Sequence, residues 1–302
     1  MPTKSGYVAI IGKPNAGKST LMNALLGQKL SIITNKPQTT RKRVLGILSG
    51  DDHQIIFLDT PGILRAEYLL QKKMLEYISE SINDADIIIF LIDLEKDPQG
   101  EKLLSDQIAS EALKKNRKKI AILNKADLSN EEKVKVLLEK LEEKNLFNVV
   151  IPVSATQNYN LDTLKNLLLD YLPEGPKYFP EDEISDENER FFVSEIIREK
   201  IFEIYRDEIP YSAEVQIDDF KEREEGKDYI SASIIVERET QKPIIIGKKG
   251  ESIKRLGQLS RKDIEQFLER EVFLELRVKV RDKWRSDPRM LKYFGYRSSD
   301  EK

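Results

Sequence analysis

Residues 7–19 read Tyr7-Val-Ala-Ile-Ile-Gly12-Lys13-Pro14-Asn15-Ala16-Gly17-Lys18-Ser19, and the fold follows from this run. The short apolar stretch closes on a glycine, which predicts a buried strand running into a loop. From Lys18 to Leu26, the apolar Leu21, Ala24 and Leu25 recur at helical spacing, and Gly27 sits where a C-terminal cap belongs. Between strand and helix, four residues separate Gly12 from Gly17, and Lys18-Ser19 follows. Glycines at that spacing let the backbone wrap so that successive N–H groups face a chain of phosphates, with the helix dipole behind them. Lys13, Pro14, Asn15 and Ala16 supply the wrapping backbone, and Lys18 reaches the β- and γ-phosphates. Ser19 offers a hydroxyl to Mg²⁺, and Thr20 completes the nucleotide-binding set. An ordinary glycine-rich turn is the competing reading, and the strand before it and helix after it count against that.

Outward from this loop, strands are expected at 44–48, 54–59, 86–93, 119–124 and 149–154. Helices are expected near 67–82, 101–116, 130–145 and 161–172. Such alternation predicts an α/β domain over residues 1–172, with a mostly parallel sheet covered on both faces and its ligand at the carboxyl ends of the strands. The residues with suggestive chemistry fall there. Asp59-Thr60-Pro61-Gly62 follows Ile55–Leu58. Asp59 is placed to hold Mg²⁺, and the Gly62 N–H to approach the γ-phosphate, where a Cβ would keep the chain away. Asn124-Lys125-Ala126-Asp127 ends the next apolar run but one. An Asp carboxylate accepts two hydrogen bonds from guanine N1–H and N2–H₂, which adenine cannot offer, so Asp127 argues for GTP over ATP. Lys125 can lay its stem along the purine, Asn124 can tie this loop to the phosphate loop, and Ser154-Ala155 suits the guanine O6 by backbone N–H. Between phosphate loop and Asp59 runs the polar Asn35–Arg41. A threonine hydroxyl there, from Thr39 or Thr40, can meet Mg²⁺ only while the γ-phosphate is present, giving a segment that orders with GTP and relaxes after hydrolysis.

Composition removes other chemistries. The 302 residues contain no cysteine, which excludes disulfides, thiol nucleophiles and iron–sulfur clusters. The single histidine, His53, sits in a polar turn and leaves no triad or multi-histidine metal site. No apolar run is long enough to span a bilayer, and the start lacks a signal-peptide core, so a soluble cytoplasmic protein is expected. The net charge of −3 is unevenly spread. Residues 181–240 carry 8 Lys and Arg against 20 Asp and Glu, whereas residues 241–302 carry 17 against 10. A polyanion would therefore meet the C-terminal end.

Pro173–Pro180 and the acidic residues to Glu189 read as a linker over 173–189, followed by a second domain over 190–302 with a C-terminal tail. Its expected elements are a helix at 190–205, strands at 213–222 and 228–237, a helix at 260–269 and a strand at 272–280. Ile246-Gly247-Lys248-Lys249-Gly250 sets a Gly-x-x-Gly loop in the basic end. Glycines admit a sugar-phosphate backbone, Lys248 and Lys249 bring charge, and Ile246 and Ile253 can floor a groove for unstacked bases. Two solvated lysines on a helical turn are the plain alternative. Whether Trp284 stacks on a base or packs, and whether Asp287–Gly295 caps the domain or touches RNA, stay open at this level.

The phosphate loop, Pro37-Gln-Thr-Thr-Arg41, Asp59–Gly62, Asn124–Asp127 and Ser154-Ala155 together resemble the Era family of bacterial GTPases. The C-terminal pattern is similar to a prokaryotic, type II KH domain. The resemblance selects Thr40, next to Arg41, over Thr39 as the Mg²⁺ threonine, and it implies K⁺ held by Asn15. It also implies GTP hydrolysis, binding near the 3′ end of small-subunit ribosomal RNA rather than DNA, and assembly of the 30S-type subunit, with peripheral contact to the inner membrane. Where many Ras-like proteins carry a water-orienting Gln after Asp-x-x-Gly, this chain has Ile63, which implies slow unaided turnover. A small-molecule P-loop kinase is disfavoured by the guanine-reading Asp127. A passive RNA chaperone with nucleotide as a structural ligand would show RNA binding indifferent to GTP.

Overall fold

In the computed structural model, which describes residues 3–296, every position of Ile87–Asp93 is buried, as the middle strand of a sheet covered on both faces must be. Around that strand, β4, lie β1 (Lys4–Gly12), β2 (Val44–Gly50), β3 (His53–Asp59), β5 (Lys118–Asn124) and β6 (Val149–Val153). They form one sheet in the order β2-β3-β1-β4-β5-β6. Only β2 runs antiparallel to its neighbour, through the hairpin at Asp51-Asp52. Five helices connect these strands, α1 (Lys18–Leu26), α2 (Leu69–Asp84), α3 (Glu101–Leu104), α4 (Gln107–Leu113) and α5 (Glu131–Glu143), and α6 (Leu161–Tyr171) follows the last of them. Residues alternating along the strands, such as Ala9, Ile11, Ile56, Leu58, Ile88 and Phe90, enter the core on one side of the sheet.

The chain divides into two compact units. The first takes residues up to Ala66 and Met74–Asp186, and the second takes Glu67–Lys73 and the residues from Glu187 onward. The start of α2 thus belongs with the second unit. The expected helix at 101–116 is broken: Asp106 adopts an extended backbone (φ −71°, ψ 140°) and caps α4 by accepting from the Ile108 N–H. Its other carboxylate oxygen pairs with Lys13 Nζ at 2.6 Å.

The segment read as a linker is bound along its first half to β3 of the sheet. Gln54, fully buried, accepts from the N–H groups of Tyr178 and Phe179 and donates to the Phe179 carbonyl. Further on, Ile47 N–H donates to the Ile184 carbonyl at 2.9 Å, and Ser185 Oγ to the Leu45 carbonyl at 2.7 Å. The edge strand β2 is thereby covered, which removes the open row of backbone groups that invites strand pairing with other chains.

In the second unit, α7 (Glu189–Ile204) and α8 (Ile209–Ser212) precede β7 (Glu214–Lys221) and β8 (Asp228–Val236). Then come α9 (Lys242–Ile246), α10 (Glu251–Leu268), β9 (Val272–Val280) and α11 (Pro288–Tyr293). The sheet order is β7-β8-β9, with β8 antiparallel to β7 and parallel to β9. α10 begins nine residues earlier than the expected helix at 260–269. Its buried Leu256, Ser260, Ile264 and Leu268 are one turn apart, and this stripe carries the helix through Gly257. Trp284 is wholly buried, donates from Nε1 to the Ser212 carbonyl at 2.8 Å and meets Phe294 edge-on, so it packs and offers no face to a base. Leu291 is buried too, and Tyr296 Oη donates to Glu214 at 2.7 Å, so the tail up to Tyr296 caps its own unit. Residues 297–302 of the expected tail lie outside the described residues. Among the described residues no helix is long and apolar enough to cross a membrane.

Candidate functional site

The loop between β1 and α1 turns on Gly17, whose φ is 96°, and on Asn15, at φ 63°. Its neighbours fix it on both sides. Asn124, at the end of β5, donates from Nδ2 to the Ala16 carbonyl at 2.8 Å and accepts the Ala155 N–H at 3.4 Å, joining three loops through one amide. A Cβ on Gly17 would stand 2.4 Å from that Nδ2. On the other side Ile63 N–H donates to the Gly12 carbonyl at 3.0 Å. A Cβ on Gly62 would lie 2.6 Å from the Pro14 Cα.

The charged centre of the cleft is compact. Lys18 is buried and donates to the carbonyls of Gly12 (3.3 Å) and Lys13 (3.1 Å). Burial lowers its ammonium to about 8, against the opposing pull of Asp59. Ser19 Oγ donates to Asp59 Oδ2 at 2.7 Å and lies 3.0 Å from Thr40 Oγ1. Asp59 is fully buried and its pKa is raised by burial, while Oδ1 has no hydrogen-bond partner. A carboxylate with an unsatisfied buried oxygen beside two hydroxyls is the oxygen set that a hard divalent cation takes, so these residues fit Mg²⁺. Thr39 is directed elsewhere: its hydroxyl meets Thr34 Oγ1 at 2.6 Å and donates to the Lys36 carbonyl at 2.8 Å. Thr60 ties its loop to β1 by donating to the Ile10 carbonyl, and Pro61 is buried beside it. Ile63 is 1% exposed and belongs to the core.

The cleft has a volume of about 590 Å³ and is lined by Asn15, Lys18, Thr20, Thr40 and Lys125 among others. Asp127 stands exposed on the short turn Ala126–Leu128, while Ser154 and Ala155 are buried at the end of β6. Asn15 Nδ2 donates to the Asn35 carbonyl at 2.7 Å, linking the phosphate loop to the polar segment before Thr40. Sequence reading missed Glu95 and Lys96, which line the same cleft, and Asp93, whose carboxylate takes Lys125 Nζ at 2.8 Å. The available signal was position: Asp93 ends β4, where the ligand-facing edge of a parallel sheet lies.

In the second unit, Gly247 (φ 74°) and Gly250 (φ 80°) bracket the exposed Lys248 and Lys249 at the junction of α9 and α10. Ile246 and Ile253 are half-buried on either side. The loop is anchored from below: Ser252 Oγ donates to Tyr205 Oη, which donates to the Ile245 carbonyl at 2.8 Å.

Residues 7–125 match the family described as 50S ribosome-binding GTPase, and residues 208–285 match the KH domain. Fold and cleft therefore define a P-loop GTPase, joined here to a KH domain. The maize chloroplastic GTPase ERA1 is 45% identical over 295 residues, covering 97% of this chain and 70% of that protein. A Clostridium botulinum GTPase Era is 42% identical over 296 residues, covering 98% and 99%. The structure of an Aquifex aeolicus Era variant bound to GDP and AlF₄⁻ superposes with a TM-score of 0.91 at 42% identity, covering 98% of this chain and 100% of that one. An Era in complex with MgGDPNP and nucleotides 1506–1542 of 16S ribosomal RNA gives the same values. The chain belongs to the Era family of GTPases.

Proposed function

We propose that this chain is a GTP-driven switch that binds the 3′ end of small-subunit ribosomal RNA through its KH domain and acts in assembly of that subunit in the cytoplasm. The supporting observation is the contact of Thr40 Oγ1 with Ser19 Oγ at 3.0 Å, since it ties the polar segment before β2 to the phosphate loop at the hydroxyls that would meet Mg²⁺. Ser19, Thr40 and Asp59 would hold Mg²⁺, which when bound supplies positive charge against the phosphates. The wrapped backbone of Gly12–Gly17 and the Lys18 ammonium grip the phosphate chain, and Asn124, Asp127 and the N–H of Ala155 orient the guanine. Asn15, already bonded to the segment before Thr40, is placed to share a K⁺ with the phosphates. Ile63 lies in the core and orients no water, so unaided hydrolysis is slow. On the RNA side Gly247–Gly250 admits a sugar-phosphate backbone between Ile246 and Ile253, with Lys248 and Lys249 on the phosphates. The relative solved with ribosomal RNA 1506–1542 supports this choice of partner.

The test measures affinity for a 3′-end ribosomal RNA oligonucleotide with GDP and with a non-hydrolysable GTP analogue. Unequal affinities that become equal in Thr40→Ala are expected. Equal affinities in the unaltered chain would sink the switch. Hydrolysis should also run faster in K⁺ than in Na⁺.

A further inference from the structure

We propose that Asp93 is a positioning residue for guanine recognition: it holds the ammonium of Lys125 so that the lysine stem lies along the purine face. This rests on the base-reading role given above to Asn124-Lys125-Ala126-Asp127. In the parallel ladder Asp93 is the direct partner of Asn124, so its side chain leaves the sheet beside the base-reading loop. Oδ2 accepts from Lys125 Nζ at 2.8 Å. The other oxygen accepts the N–H groups of Glu95 and Lys96 at 3.0 and 3.2 Å, which fixes the plane of the carboxylate.

The two acids on Lys125 differ. Glu95 reaches Nζ at 3.0 Å from a side chain 54% exposed, where water screens the pair and the glutamate keeps its rotamers. Asp93 is 5% exposed and immobilised, so it sets the geometry. Burial works against the Lys125 ammonium, yet the two carboxylates outweigh it and its pKa is raised.

The test uses the full-length protein and titrates a fluorescent GDP and a fluorescent non-hydrolysable GTP analogue into Asp93→Asn, Asp93→Ala, Lys125→Gln and the Asp93→Asn, Lys125→Gln double variant. Asp93→Asn keeps an oxygen for the Glu95 and Lys96 N–H groups but sets an NH₂ donor where an oxygen accepted from Lys125, so both the charge and that acceptor are lost. It should weaken both nucleotides alike, by about tenfold, as loss of a largely buried ion pair does. The KM for GTP should rise by the same factor while kcat holds. In the Lys125→Gln background, Asp93→Asn should add less than about twofold, because the partner is already gone. If Asp93 only caps the turn after β4, Asp93→Asn will bind like the unaltered chain and Asp93→Ala alone will weaken, which overturns the inference. Additive losses in the double variant overturn it as well. Unchanged affinity in Lys125→Gln would instead remove the base-reading role on which the inference stands.

Discussion

Both units turn a loop on left-handed glycines, and the space around those glycines differs. A Cβ on Gly17 would strike Asn124 at 2.4 Å, and in the same cleft one on Gly12 or Gly62, neither of them left-handed, would strike the Leu91 carbonyl at 2.7 Å or the Pro14 backbone at 2.6 Å. In the other loop a Cβ on Gly247 would meet the Ser252 Cβ at 2.5 Å, whereas around Gly250 there is nothing within 4 Å. The nucleotide cleft is shaped by its own protein, and its glycines are required before any ligand arrives. The Gly250 position answers to backbone conformation and to whatever approaches from outside. Charge follows the same division: Lys18 is buried, with its ammonium lowered to about 8, whereas Lys248 and Lys249 are exposed. The cleft glycines are closed in and expensive to alter; Gly250 is open and sensitive mainly to charge.

The largest effect should come from Gly17→Ala. The left-handed backbone and the collision with Asn124 together disfavour the native loop by roughly 3 kcal/mol, a loss of about a hundredfold in GDP affinity. Titration with GDP and thermal unfolding would both register it. Near-native binding would mean that Asn124 can move aside, and the cleft would be less closed than its contacts imply. Ile63→Gln should come next. A glutamine amide in a position 1% exposed leaves polar groups in the core at a cost of about 1–3 kcal/mol. The backbone directs that side chain inward, so urea unfolding should shift while GTP turnover does not accelerate. Faster hydrolysis would show that the segment after Gly62 can turn Ile63 out of the core.

How legible each site was in the sequence follows from the range of its interactions. Phosphate loop, Asp59 and Asn124 were readable because each sits at the end of an apolar run, and the end of a parallel strand is where the fold puts ligands. Asp93 sits at such an end too, but its role depends on which strand lies beside β4, and that register pairs it with a residue 31 positions away. The break at Asp106 was hidden for a related reason, since helical spacing on either side is unaffected by the cap and the partner Lys13 comes from another loop. Gly-x-x-Gly was visible as a string, whereas its support from Tyr205 and Ser252 is a contact across the unit. The residues after Pro173 looked like a tether because proline and acidic composition marks chain that cannot pack alone. Here the chain packs because Gln54 and the open edge of β2 provide partners.

The smallest effects, and the sharpest test of the contrast, belong to Gly250. With no neighbour to meet, Gly250→Ala should cost only the strain of a left-handed alanine, about 1 kcal/mol. Aspartate tolerates that region better, so Gly250→Asp should unfold at higher urea than Gly250→Ala. RNA binding should rank them the other way. A carboxylate next to Lys248 and Lys249 repels phosphate, and Gly250→Asp should lose about tenfold in affinity for the 3′-end oligonucleotide at low salt, a deficit that narrows as salt rises. Opposite orders in stability and in RNA affinity would show that the open glycine serves an external backbone. The same order in both would make Gly250 a structural glycine like Gly17, and equal RNA affinity in all three proteins would remove the loop from the RNA contact.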